Sequence, residues 1–100
     1  MIGISWREFV DDAYFGIECL FRFRGKKYFY EGYYEEEHQP YAYRCYLAQW
    51  NNETNYLEEE ILDFYSSSLE ERFKKFLKAK VFDGKTIEEV EAEIEFLEWC

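Results

Sequence analysis

Along the chain the apolar positions switch between two periods. Trp6, Phe9, Val10 and Ala13 recur at helical spacing. Ile17, Cys19, Phe21 and Phe23 then recur every second residue, with Glu18, Leu20, Arg22 and Arg24 between them, which predicts a strand with one greasy face. Tyr28-Phe29-Tyr30 continues the alternation as a return strand. Tyr41, Tyr43, Cys45 and Leu47, set against Ala42, Arg44, Tyr46 and Ala48, predict a third strand. The helical period returns at Leu69, Phe73, Phe76 and Leu77, and again at Ile87, Val90, Ile94 and Leu97.

Local signals agree with this division. Ser5-Trp6-Arg7-Glu8, Ser68-Leu69-Glu70-Glu71 and Thr86-Ile87-Glu88-Glu89 each fit the S/T-x-x-E box, in which hydroxyl and carboxylate cap each other's backbone N–H groups. Arg24-Gly25-Lys26-Lys27 predicts a tight hairpin, because Gly25 takes positive φ without strain. Gly32 marks a bulge or a weakening of the return strand. Asp83-Gly84 predicts a turn between the last two helices. Glu35-Glu36-Glu37-His38-Gln39-Pro40 and Asn51-Asn52-Glu53-Thr54-Asn55 read as polar loops. Residues 56–65 stay open between helix and a fourth strand, as do residues 94–99. The expected fold is α+β and a single domain over residues 1–100. It has a short N-terminal helix, a three- or four-stranded antiparallel sheet, and C-terminal helices packed on one face.

Composition narrows the function. The 100 residues carry 22 acids against 12 Lys and Arg, a formal net charge of -10, and 23% are aromatic. Such charge keeps a small protein soluble, repels nucleic acid and attracts basic surfaces. No window approaches the ~20 apolar residues of a membrane span. The N-terminal stretch lacks a basic segment followed by an apolar one, so a cytoplasmic protein is expected. Cys19, Cys45 and Cys100 are odd in number and widely spaced, which suits two buried small hydrophobes and one terminal thiol.

The charge is segregated. Residues 28–65 hold nine acids and one base, Arg44, and residues 81–100 hold seven acids and one base, Lys85. Arg72, Lys74, Lys75, Lys78 and Lys80 read as one basic helix between them. Two readings follow. In one, the acids are solvated faces offset by that helix. In the other, they form a docking surface for a basic partner, with exposed tyrosines as anchors. The candidate partner-binding residues are Glu35, Glu36 and Glu37 first, Glu58, Glu59 and Glu60 second, and Glu91, Glu93 and Glu95 third. Tyr33, Tyr34 and Tyr41 are the candidate anchors.

Signatures of chemistry are sparse. His38 is the one histidine and sits among Glu35, Glu36 and Glu37, without a second histidine to complete a metal site or a base. Glu58-Glu59-Glu60 with Asp63 lacks the Gly-rich loop that would present phosphates to a magnesium ion. Asp83-Gly84-Lys85-Thr86 lacks the upstream glycine of a phosphate loop. No catalytic residue, metal or cofactor is assigned. Direct nucleic-acid binding is disfavoured, because the aromatic segment is also the most acidic one.

The order of motifs resembles a group of small acidic bacterial and phage proteins, most without an assigned function. Trp6-Arg7-Glu8-Phe9 leads to Phe23-Arg24-Gly25-Lys26-Lys27-Tyr28, then a tyrosine-rich strand, Ser68-Leu69-Glu70-Glu71, and Phe82-Asp83-Gly84-Lys85-Thr86-Ile87-Glu88-Glu89-Val90. In size, acidity and helix–sheet–helix order the chain is also similar to anti-CRISPR proteins. That likeness implies a mimic of DNA that blocks a basic groove of a Cas nuclease. The alternative is a non-enzymatic interaction or regulatory module that docks or dimerises through an apolar strand face carrying Tyr46 and Trp50.

Overall fold

The computed structural model describes every residue except Asn52 and Asn55, and every side chain except theirs and those of Tyr56 and Glu58. The elements run α1 (Trp6–Tyr14), β1 (Cys19–Phe23), β2 (Lys26–Tyr34), β3 (Tyr43–Asn51), β4 (Tyr56–Ser66), α2 (Leu69–Lys78) and β5 (Ile94–Trp99). Short 3-10 turns stand at Glu36–His38 and Glu91–Glu93. The strands form one antiparallel sheet in the order β4-β3-β2-β1-β5.

Both α-helices begin as their capping residues require. The Ser5 hydroxyl accepts from Glu8 N–H at 3.0 Å, and that of Ser68 from Glu71 N–H at 3.1 Å. The β1–β2 hairpin turns on Arg24 (φ 48°) and Gly25 (φ 79°), the left-handed pair that a two-residue turn needs. Asp83 and Gly84 turn in the same way, at φ 56° and 79°, between the bridged residues Phe82 and Lys85.

One sheet face is packed and the other is uncovered. Phe21 and Phe23 of β1, Tyr28 and Tyr30 of β2, and Cys45 and Leu47 of β3 are buried beneath Phe9 and Ala13 of α1 and Phe73 and Phe76 of α2. Phe82 closes one end, its ring 5.6–6.0 Å from those of Phe21, Phe23 and Tyr28. Burial of each such ring is worth roughly 1.5–3 kcal/mol. Alternation sends the intervening residues, Arg22, Phe29, Glu31, Tyr33, Arg44, Tyr46 and Trp50, to the face that neither helix covers.

Several expectations need correction. The sheet has five strands, and a single helix, α2, follows β4, where C-terminal helices were expected. The Thr86 box forms, with Thr86 N–H donating to Glu89 Oε1 at 3.0 Å and Glu89 N–H to Thr86 Oγ1 at 3.3 Å. No helix grows from it. Residues 87–90 turn, burying Ile87 and Val90, and residues 94–99 become β5. A helix there would leave β1 an open edge, whereas extension lets β5 pair with it and bury Ile94. Residues 56–65 are likewise strand, paired with β3, with register shifts opposite Leu47/Ala48 and Gln49/Trp50 that blur the sequence period. Ile17 lies outside β1 and is exposed. Gly32 is no bulge, because the β2–β3 register runs through it. Its role is close approach: a Cβ there would lie 2.7 Å from Gly16 Cα and 2.6 Å from Arg72 Cζ. Arg72 itself is buried rather than part of a solvated basic face, and Lys80 lies beyond the end of α2.

The sheet edges differ. Residue Ile2 runs parallel to β5, donating to Ile94 O and accepting from Phe96 N–H, both at 2.8 Å. No described segment pairs with the outer side of β4. Among the described residues, no helix is long and apolar enough to cross a membrane.

Candidate protein-docking surface

The third acidic cluster lies on the β5 side of the sheet and is neutralised internally. Glu91 pairs with the Met1 ammonium. Glu93 takes a two-pronged contact from Arg24, at 2.9 Å from Nε and 3.2 Å from Nη2, while Arg24 Nη1 reaches Asp83 at 2.7 Å. Glu95 accepts from Arg22 Nη1 at 2.7 Å, across the strand pair Arg22–Glu95. The Arg24 guanidinium holds the Glu93 carboxyl below its ordinary pKa. The signal for these three pairings was not local: the two arginine pairs required β5 to lie beside β1, and the third required Met1 to reach Glu91.

Four other candidate acids keep their charge. Glu59 and Glu60 stand on β4, opposite Gln49 and Ala48 of β3. Both are exposed, and the side chain of Glu58 lies outside the described residues. Glu36 and Glu37 are exposed on the 3-10 turn that joins β2 to β3. Among the described residues, none of these four carboxylates has an ion-pair partner. The first sequence cluster is therefore divided, because Glu35 is bound.

Glu35 belongs to a network on the uncovered face centred on Arg44. The guanidinium donates to both Asp63 oxygens, from Nε at 2.7 Å and Nη2 at 2.6 Å, and from Nη1 to Glu35 at 3.0 Å. The rings of Tyr33, Tyr46 and Tyr65 surround it, 5.6–5.8 Å from Cζ to centroid. The Tyr65 hydroxyl donates to Glu35 at 2.7 Å, and the His38 imidazole stacks on the Tyr65 ring at 4.3 Å. Tyr65 and then Arg44 lower the Glu35 pKa, and Arg44 lowers that of Asp63. The same contact with Glu35 raises the Tyr65 phenol. Sequence reasoning missed this centre, although Arg44 was visible as the lone base in an acidic stretch. Phe29 continues the face, its ring 6.3 Å from those of Tyr46 and Trp50.

Of the candidate anchors, Tyr33 is committed to the Arg44 guanidinium and to Glu31, while Tyr34 and Tyr41 are 55% and 57% exposed. Partial burial raises the Glu31 pKa, with Tyr33 opposing and Glu18 adding to the rise. Burial pushes the Cys45 thiol up to about 12 and the Cys19 thiol higher, so both are neutral core groups. Cys100 is exposed. Glu35, Glu37 and His38 bring one ligand atom each within 4.8 Å of one another, a spacing a cation could bridge, but both Glu35 oxygens are already held by Arg44 and Tyr65. A groove of about 360 Å³ between the β1–β2 and β3–β4 hairpins is lined in part by Arg22, Lys26, Lys27 and Trp50.

Comparison with known protein families, characterised proteins and solved structures finds no match.

Proposed function

We propose that this protein is a non-enzymatic binding module that seats a basic protein surface along the β4 edge and the β2–β3 connection. The observation that carries the reading is the sorting of the acids: Glu91, Glu93 and Glu95 are consumed by internal cations, while Glu36, Glu37, Glu59 and Glu60 face solvent without one among the described residues. Solvated carboxylates on a molecule of net charge -10 steer it to positive potential. The specific form is an inhibitor that occupies the nucleic-acid groove of an enzyme such as a Cas nuclease.

The test is capture from nuclease-treated bacterial lysate, washed at low and high salt. Retention of a nucleic-acid enzyme that salt and duplex DNA both displace supports the reading. Reversal of Glu36, Glu37, Glu59 and Glu60 to Lys should abolish that capture, and neutralising Glu91, Glu93 and Glu95 should leave it. Equal capture by the reversed variant overturns the reading. A second reading rests on the uncovered Phe29–Tyr46–Trp50 rings. As a dimerising or apolar docking face they predict salt-tolerant association and a size that grows with concentration.

A further inference from the structure

Two segments distant in sequence meet at the end of the molecule where α1 stops. Gly16 and Gly32 bring the α1–β1 connection against β2, with Gly32 N–H donating to Gly16 O at 3.0 Å. Arg72 ties the joint, donating to Tyr14 O at 3.1 Å and Tyr33 O at 3.3 Å, and lies over the Tyr43 ring. The rings continue outward from it. Tyr43 contacts Tyr34 at 5.1 Å, and Tyr14 contacts Phe15 at 5.1 Å. The outermost are exposed, Phe15 at 65% and Tyr34 at 55%, and Tyr41 stands in the connection that follows Tyr34, at 57%. That connection is closed by Glu35 N–H to Ala42 O at 2.8 Å, so Glu36 and Glu37 are held on the same end as Tyr34 and Tyr41.

We infer that this end, with Tyr34, Tyr41 and Phe15 as the floor and Glu36 and Glu37 as the rim, is the seat for an arginine-bearing segment of the basic partner. The inference rests on the binding role proposed above and names where, and by which side chain, the partner is held. The chain itself shows the chemistry. Arg44 is held by carboxylates within a ring of tyrosines, and Arg24 pairs with Glu93 and Asp83 beside the Phe23 ring at 5.0 Å. Tyr34, Tyr41, Glu36 and Glu37 offer the same ingredients, aromatic faces and free carboxylates, with no internal guanidinium paired to the carboxylates among the described residues. A planar guanidinium stacks on a ring while forking to a carboxylate, which a lysine ammonium does less well.

The test uses the full chain with two synthetic peptides, one alternating Arg and Gly and one alternating Lys and Gly, followed by amide and aromatic NMR shifts. The Arg peptide should bind about threefold or more tighter than the Lys peptide and shift residues 15–17 and 34–41. The double variant Tyr34→Ala/Tyr41→Ala should weaken it about fivefold or more, while Tyr34→Phe, which keeps the ring, should bind as the parent does. Circular dichroism checks that the surface variants stay folded. Unchanged affinity in the double variant, equal binding of both peptides, or binding of neither overturns the seat. If peptide binding depends on Glu36, Glu37, Glu59 and Glu60 but not on the rings, the seat fails and the binding role stands. If charge reversal leaves lysate capture intact, the binding role itself fails.

Discussion

At the β5 edge, Glu91, Glu93 and Glu95 each meet a cation, and residue Ile2 covers the backbone. At the β4 edge, Glu59 and Glu60 meet none among the described residues, and no described segment covers the strand. Both stretches look alike as sequence, three carboxylates each within five residues. The difference comes from which strand lies next door. β5 lies beside β1, which carries Arg22 and leads into Arg24 at the hairpin turn, whereas β4 lies beside β3, whose one cation, Arg44, is already shared by Glu35 and Asp63. An acidic run is thus a docking candidate only after the fold has assigned the cations. The bare carboxylates on β4 also have a plain structural use, since charge on an uncovered edge blocks strand addition.

The largest effect breaks the strand on which both edges depend. β2 is central in the sheet, and Gly32→Ala would drive a Cβ to 2.7 Å from Gly16 Cα and into the Arg72 guanidinium. Backbone cannot yield as a flexible side chain can, so the variant should lose about 3 kcal/mol or more in urea unfolding. Parent-like stability would show that the Gly16–Gly32 contact is not required.

A smaller effect separates the edges by pH. Glu35 and Asp63 have lowered pKa values, so the folded state binds fewer protons than the unfolded one through their titration. Their stabilisation is complete above the ordinary carboxylate range and is lost as pH falls through the lowered values. Arg44→Met removes the main cause at Asp63 and the second cause, after Tyr65, at Glu35, so stability measured by denaturant midpoint should fall less steeply than the parent's below about pH 4. Glu31 acts in the opposite sense: its raised pKa gives stabilisation that is present in acid and lost as pH rises through the raised value. An unchanged acid limb in Arg44→Met would count against the network.

The smallest effect concerns salt. Exposed pairs such as those at the β5 edge contribute little, while like charges along β4 and the β2–β3 connection repel. Moderate salt should therefore raise the thermal midpoint of the parent slightly. The quadruple Gln variant of Glu36, Glu37, Glu59 and Glu60 should show a flatter response, and an identical one would mean that these acids do not repel.

Local chemistry made part of the fold legible. The caps at Ser5 and Ser68, the turns at Gly25 and Gly84, and the alternation through β1 to β3 depend on residues within a few positions of one another. The Thr86 box shows the limit of such reading. It formed as written, yet the helix after it did not, because β1 had an unpaired side that Ile94–Trp99 could satisfy. The same holds for the candidate site. Exposure of Glu36 and Glu37 fits a polar connection, but the engagement of Glu35 could not be read locally, since its partners Arg44 and Tyr65 come from two other strands.

By itself the sequence determined the charge excess, the aromatic core, the start of each α-helix and the tight turns, since composition and short-range hydrogen bonding need no distant partner. Only the tertiary structure decided that residues 56–66 and 94–99 are strands, that Arg72 is buried at a glycine joint, and which acids remain unpaired. Those outcomes depend on strand neighbours and on the apportioning of twelve cations among twenty-two acids, and both are settled when the chain closes on itself.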